Sequence, residues 1–465
     1  MKYKQSDLPK IELPGKPQYE KLAVGIDFLE LFYKVEQEYQ TCFLLESLGE
    51  EGHMSRYSLI GFSPEAILRA RGQELYYEPR DASIGKPQTF QTDNPYFTLR
   101  EIVPTNVISR KYAGGLIGYL GYDAMNYFEA SLNLHSHQEF DGFRFGVYKD
   151  GLVYDKMTGE VFYYYYTSSR LTAVKHLLDK KFTMPPKPKV TYIEDTMNQP
   201  DHARAVEKVK QDIIDGLVFQ CEVGFKSLYK VEGSKVPIYQ RLREVNPSPH
   251  MYYLKFDGQV IAGASPELLL RLRQGEMETF PLAGTTIRGK NPAEDTELAR
   301  QLLNDPKEIA EHNMLVDLHR NDLGRVAKFG TVKVRNLMDI KRYSHVQHIS
   351  SDIVGILADD EDMFSALAAN FPAGTLTGAP KIEAMKIINQ MEGEGRGPYG
   401  GAIGQFCFNG DCTFAIPIRS LFCNGENAYA QTCGGNVYDS TAEGEYLEIQ
   451  RKLAATKKVL SEFAK

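Results

Sequence analysis

No tryptophan occurs among the 465 residues, beside 28 tyrosines and 24 phenylalanines. Such an absence is either chance or economy in a protein that must be made while tryptophan is scarce. Cysteine is sparse too: six, at 42, 221, 407, 412, 423 and 433, with no CxxC pair and no zinc spacing. That excludes a disulfide scaffold and a structural zinc site. Cys407 and Cys412 flank an Asn409-Gly410 step, which predicts a tight hairpin with the two sulfurs opposite one another as ordinary buried thiols. No apolar run is long enough to span a bilayer and the N-terminus has no signal-peptide core, so a cytoplasmic protein without membrane contact is expected. Positive charge is also short. The 54 Lys and Arg against 61 Asp and Glu leave −7, the wrong sign for a nucleic-acid surface.

What is present is ordinary for a soluble globular chain, at 42% hydrophobic and 25% charged residues. The length suggests about two or three domains. Up to residue 180, strand-like runs alternate with turns: 42–47, 57–62 and 161–167 read as strands. The glycine-rich stretch 114–122 lacks dinucleotide-fingerprint spacing and reads as close backbone packing. Pro185, Pro186 and Pro188 mark a stiff connector over 185–200, dividing an N-terminal lobe, 1–184, from a second, 201–465, with the two expected to interleave. Beyond the connector, Val206, Val209 and Ile213 predict a helix from His202 that ends at Gly216. Strands and helices then mix without βαβ alternation, so the fold class is α+β.

One stretch organises the chain: Asp305 to Arg325. Asp305-Pro306 is a helix start, and Glu308, Glu311, His312 and Leu315 fall on one face. Carboxylates one turn apart repel unless a divalent cation, a proton or a basic side chain separates them. Glu308 also fits a capping box with Asp305, whereas Glu311 has no such role. A second acidic row, Glu445, Glu448 and Lys452, lies on the last helix, where Ser440 and Glu443 predict another capping box. Either row is a solvated face or half of a shared cation site.

Three glycine turns complete the inventory: Pro281 to Thr285, Phe371 to Lys381 and Thr432 to Gly435. In the second, Pro380 opens a helix whose N–H groups favour an anion, with Lys381, Thr375 and Thr377 as further donors; a plain Gly-Pro turn explains it equally well. Arg419 closes an apolar run and either marks where a strand emerges or grips a carboxylate. His348 lies on a strand-like stretch, with His345 competing for any role.

Taken in order, these segments resemble the chorismate-utilising enzymes, closest to their anthranilate-forming members. The resemblance rests on DPKEIAEHNMLVDLHRNDLGRV, FPAGTLTGAPK, GPYGGAIGQFCFNGDCTFAIPIRS and EYLEIQRK, and more weakly on LLES, RYSLIGFSP, GGLIGYLGYD and NPSPHMYYL. It implies a two-lobed fold of large, mostly antiparallel sheets packed face to face, with helices outside. It also implies Mg²⁺-dependent conversion of chorismate and ammonia to anthranilate and pyruvate. Carried over by position, Glu311 and Glu448 are metal ligands with Glu445 close by. Glu308 is the general acid for the leaving 4-hydroxyl, and His348 assists pyruvate elimination. Substrate contacts are Gly284, Thr285, Thr375, Tyr399, Arg419, Gly434, Gly435 and Lys452, with Arg419 and Tyr399 on the pyruvyl carboxylate.

Members that make aminodeoxychorismate or isochorismate commonly carry lysine where this chain has Ala283. Alanine leaves ring carbon C2 open to ammonia, which points to the anthranilate-forming members; the nearest alternative is the aminodeoxychorismate-forming branch, which differs in whether pyruvate leaves. A non-catalytic tryptophan-sensing scaffold is the alternative from another class. The resemblance further implies a hetero-oligomer, with ammonia from a separate glutamine amidotransferase subunit. L-Tryptophan is the implied inhibitor, at Ser47, Pro249, His250 and Met251. Two departures stand out: His250, where an aromatic is usual, and Cys433-Gly434, where Gly-Ala is usual.

Overall fold

The computed structural model describes residues 8–22, 25–48, 56–109, 111–342 and 346–464. His345 lies outside them. The described chain builds two sheets of twelve strands each, and every ladder between named strands is antiparallel.

Strand alternation sets the layers. The strand Thr41–Glu46 sends Phe43 into one core and Cys42 and Leu44 into another. Its partner His250–Phe256 sends Tyr252, Leu254 and Phe256 to the first core and Met251 and Tyr253 to the second. The first core draws on both sheets and lies between them. Phe43 of one sheet meets Tyr148 of the other edge-on at 4.7 Å, worth about 0.5–1.5 kcal/mol beyond the area buried. The second core lies under a layer of helices that includes Phe28–Glu38, Gln199–Ile214 and Ala442–Ser461. This is the expected α+β arrangement of sheets face to face with helices outside.

Both sheets join strands from either side of residues 185–200: Thr41–Glu46 pairs with His250–Phe256, and Gly115–Leu120 with Ala402–Cys407. Close approach of backbone on both sides of Gly115–Leu120 is why the early glycines are there. A Cβ on Gly115 or Gly118 would overlap the backbone of Phe406 or Arg144. Within the expected connector, Lys189–Asp195 is an edge strand on Gln220–Glu232 and Gln199 already begins a helix, capped by Asn198. Lys189 and the residues after it are drawn into the sheet because an adjacent strand offers its free edge.

The hairpin after Cys407 also differs from expectation. Cys412 pairs with Phe406, and the Cys407 N–H donates to the Asp411 carbonyl at 2.8 Å, so the loop is longer than a two-residue turn. That one-residue offset keeps the sulfurs from facing each other across the ladder, and all six cysteines are free and buried. Among the described residues no helix is long and apolar enough to cross a membrane.

Two ladders position the site. In one sheet Glu222 pairs with Gly435, and in the other Thr285 pairs with His348. The acidic helix Pro306–Gly324 packs on Leu282–Ile287 and Val346–Ile356, and the last helix, Ala442–Ser461, packs on Asn427–Asn436. Each sheet thus carries one of the two acidic helices.

Candidate active site

Asp305 caps the acidic helix through its side chain, which accepts from the N–H groups of Lys307 and Glu308, with Pro306 in the first turn. The Asp305 N–H instead donates to the Leu302 carbonyl at 3.3 Å, so Glu308 does not close the expected capping box and its carboxylate points elsewhere. It lies beside Gly284, where a Cβ would sit 2.9 Å from Glu308 Oε2. Gly284 also has φ +67, a conformation glycine adopts at no steric cost.

The last helix starts one residue later than expected. Thr441, not Ser440, is its N-cap, accepting from the Gly444 N–H. Ser440 donates its hydroxyl to Glu445 Oε1 at 2.6 Å. The other oxygen, Glu445 Oε2, is buried with no hydrogen-bond partner among the described residues and faces the bare Cα of Gly434. Lys452 bridges to Glu448 at 2.8 Å and donates to the Cys433 carbonyl at 3.0 Å.

The two helices meet electrostatically. Burial pushes the Glu308 carboxyl above its ordinary range, with help from Asp305 and from Glu448 on the other helix. Glu311 is raised by burial, by Glu308 and again by Glu448. Glu445 is raised by burial and Glu448, against the Ser440 hydrogen bond. Four carboxylates from distant parts of the chain therefore share one region and oppose one another's charge.

That donor set fits a hard divalent cation such as Mg²⁺: it offers only oxygen, and Glu445 Oε2 lacks a partner among the described residues. Among the described residues, no group of three His, Cys, Asp or Glu side chains is placed to hold a metal ion by itself. Mg²⁺ keeps waters and takes one or two carboxylates together with a substrate anion, so an open carboxylate pair suits it better than a cage.

His348 is held at Nδ1, 2.9 Å from Thr285 Oγ1 and 3.1 Å from the Gly284 carbonyl. Burial, and next Arg419, press its pKa down to about 4, so the ring is neutral. Arg419 has φ +50 and also acts on Glu267.

Two carboxyls were not singled out by the sequence reading. Glu267 is 6% exposed and accepts from the Thr375 hydroxyl at 2.9 Å. Burial, opposed by Thr375 and Arg419, pushes its pKa to about 7. Glu222 is 5% exposed, and burial, opposed by Lys452 and the Cys433 thiol, also pushes it to about 7. A signal existed for both: each is a lone charge in an otherwise apolar run, QCEVGF and VIAGASPELLL.

Not every expected donor is available. Lys381 is locked to buried Asp322 at 2.7 Å, and Thr377 donates to the Ala373 carbonyl. Neither side chain is therefore left as a donor for an anion at the helix start. The Tyr399 hydroxyl is buried and donates to Cys433 Sγ at 3.2 Å. Arg419, Lys452, Gly284, Thr285, Gly434 and Gly435 do border the carboxylate cluster or its neighbours.

Ser47, Pro249, His250 and Met251 come together elsewhere, lining a cavity of about 330 Å³ with Leu268 and Arg271. Ser47 Oγ is buried with no hydrogen-bond partner among the described residues. Burial lowers the His250 pKa to about 4.

A family model described as chorismate binding enzyme matches residues 40–458. Anthranilate synthase component 1 of Leptospira biflexa is 52% identical over 460 residues, covering 97% of this chain and 98% of its own. The protein of that name from Methanothermobacter thermautotrophicus is 42% identical over 444 residues, covering 95% and 94%. The crystal structure of anthranilate synthase component I from Streptococcus pneumoniae superposes with a TM-score of 0.75 at 30% identity, covering 87% of this chain and 93% of that one. With the fold, the paired acidic helices and these matches in agreement over nearly its whole length, the chain belongs to the chorismate binding enzyme family.

Proposed function

We propose that the chain is the ammonia-using subunit of an anthranilate synthase, converting chorismate and ammonia to anthranilate, pyruvate and water in the cytoplasm. The observation that carries this is that Glu308 and Glu311 both feel the charge of Glu448 from a remote helix, with Lys452 bridged to Glu448. Chorismate carries two carboxylates, and the site offers a partner for each: the acidic cluster through a cation, and Arg419 directly. Glu311 and Glu448 would hold Mg²⁺, with Glu445 behind them; when bound, the ion supplies the positive charge that holds the ring carboxylate.

The leaving 4-hydroxyl needs a proton. Glu308 is one donor, raised by burial and by its neighbours. Glu267 suits the role better: its pKa of about 7 keeps the proton available at neutral pH, and Thr375 fixes one of its oxygens. His348, neutral and fixed at Nδ1, takes the ring proton as pyruvate leaves and the ring becomes aromatic. Ala283 adds no amine that would compete at C2.

Ammonia comes from a glutamine amidotransferase subunit in this reading, in a hetero-oligomer. All six thiols are buried and pushed up, so none of them is a nucleophile for glutamine hydrolysis. The Ser47 cavity is the site for L-tryptophan as feedback inhibitor. Leu268, in its wall, follows Glu267 of the catalytic cleft directly, which gives the inhibitor a short covalent route to the chemistry. In the same reading 1–184 carries most of the regulatory lobe and 201–465 the catalytic one.

Chorismate, Mg²⁺ and an ammonium salt at alkaline pH test this. Fluorescent anthranilate is the expected product. A non-aromatic amino product would assign the chain to the aminodeoxychorismate branch, and no turnover at all would favour the scaffold.

A further inference from the structure

Arg419 is held in a left-handed conformation, φ +50, which a residue with a Cβ keeps only where its surroundings impose it. The residues on either side of it carry that constraint. The Ser420 hydroxyl donates to the Ile418 carbonyl at 2.7 Å, tying together the two neighbours of Arg419. The Arg419 carbonyl accepts from the Ala264 N–H on the adjoining strand, a long bond of 3.4 Å.

A further residue reaches this turn from two strands away. Tyr252, Gly263 and Ser420 lie in register across the strands His250–Phe256, Gln259–Ser265 and Ser420–Asn424. Gly263 stands between the other two, and a Cβ on it would overlap both the Tyr252 ring and Ser420 Oγ. The tyrosine therefore crosses over the glycine. Its hydroxyl oxygen lies 2.6 Å from Ser420 Oγ and 3.3 Å from the Ile418 carbonyl. Ser420 spends its one proton on Ile418, so Tyr252 is the donor between the two hydroxyls. Tyr252 and Ser420 are buried, so water does not stand in for this bond. A phenylalanine would fill the same apolar space. Among the described residues, the partners of the hydroxyl are the two residues that flank Arg419.

Resting on the reading in which Arg419 grips a chorismate carboxylate, we propose that Tyr252 is a positioning residue for that grip. Its hydroxyl anchors Ile418 and Ser420 and so fixes the direction in which the Arg419 side chain leaves the backbone. A bidentate guanidinium–carboxylate pair depends on that direction, because both N–H···O bonds must be made at once.

The test is steady-state kinetics with ammonium chloride as the nitrogen source at saturating Mg²⁺, varying chorismate and ammonium in turn. Two proteins are read first: wild type should form anthranilate, and Arg419→Lys should raise the KM for chorismate. Failure of either overturns the reading beneath the proposal, and does so without any change at Tyr252. Tyr252→Phe keeps the ring and loses the anchor. Its KM for chorismate is expected to rise about fivefold, the worth of one hydrogen bond, with kcat and the KM for ammonium within about twofold of wild type. Ser420→Ala should raise the same KM at least as much, and carries the test if the phenylalanine variant does not fold. Adding Tyr252→Phe to Ser420→Ala should raise it little further, since both act on one anchor. An unchanged KM for chorismate in both single variants overturns the proposal, even where the thermal midpoint falls. So does a double variant whose effect is the product of the two single ones.

Discussion

The Thr375 hydroxyl donates to Glu267 Oε1 at 2.9 Å across 108 positions of chain. Thr375 reads from the sequence as a ligand for substrate; in the folded chain it holds a carboxyl that burial keeps partly protonated at neutral pH. Removing the hydroxyl removes a bond to the charged form, so Thr375→Ala raises the Glu267 pKa further. If Glu267 is the acid, the alkaline limb of the kcat profile moves to higher pH in this variant. A profile that does not move excludes Glu267 as the proton donor.

Glu267→Gln removes that proton altogether. Its kcat is expected to fall by roughly 10²–10⁴, the range for a lost general acid, with chorismate binding retained. Glu308→Gln, measured alongside, loses less. The reverse order would return the acid role to Glu308.

Glu267 also makes stability depend on pH. Its carboxyl rises from an ordinary 4.5 to about 7 on folding, so the native state binds more protons than the unfolded chain between those values. The contribution is present in full below 4.5 and is lost as pH rises through about 7, on the order of 3 kcal/mol. Urea midpoints at acidic and neutral pH check this, with a flatter dependence expected for Glu267→Gln.

Carboxylates that oppose one another cost stability until a cation joins them. Mg²⁺ is therefore expected to raise the thermal midpoint of the wild type and not of Glu311→Gln. In chelator the variant should melt higher than the wild type, because one repelling charge is gone. Its kcat should fall about 10²–10³-fold. Equal response of both proteins to Mg²⁺ would remove Glu311 from the metal site.

The lack of indole in the chain makes L-tryptophan its own fluorescent reporter. Titration should change its emission or anisotropy, and Ser47→Ala should weaken binding by about tenfold, one hydrogen bond's worth. Affinity should be flat across neutral pH, because His250 is already neutral there, with its pKa near 4. A signal that never changes on titration counts against feedback control at this cavity.

By itself the sequence determined the local structure and the chemical inventory. Asp305-Pro306 begins a helix because a carboxylate caps N–H groups and proline needs none, and the spacing of Glu308 and Glu311 puts both on one face whatever surrounds them. The motifs also carried the family, and with it the pairing of two remote acidic helices. What only the tertiary structure decided is which polar groups share the cleft. Glu222 sits in a strand, where alternate residues face opposite ways, and Glu267 in the short link between the strands Gln259–Ser265 and Leu268–Arg273; what each of them meets depends on partners far along the chain, Gly435 for the first and Thr375 for the second. Ser440 and Lys381 show the same limit from the other side. Each has a plausible local role, and each is taken by a distant or neighbouring carboxylate, Glu445 and Asp322, because a buried charge must find its partner wherever the fold has placed one.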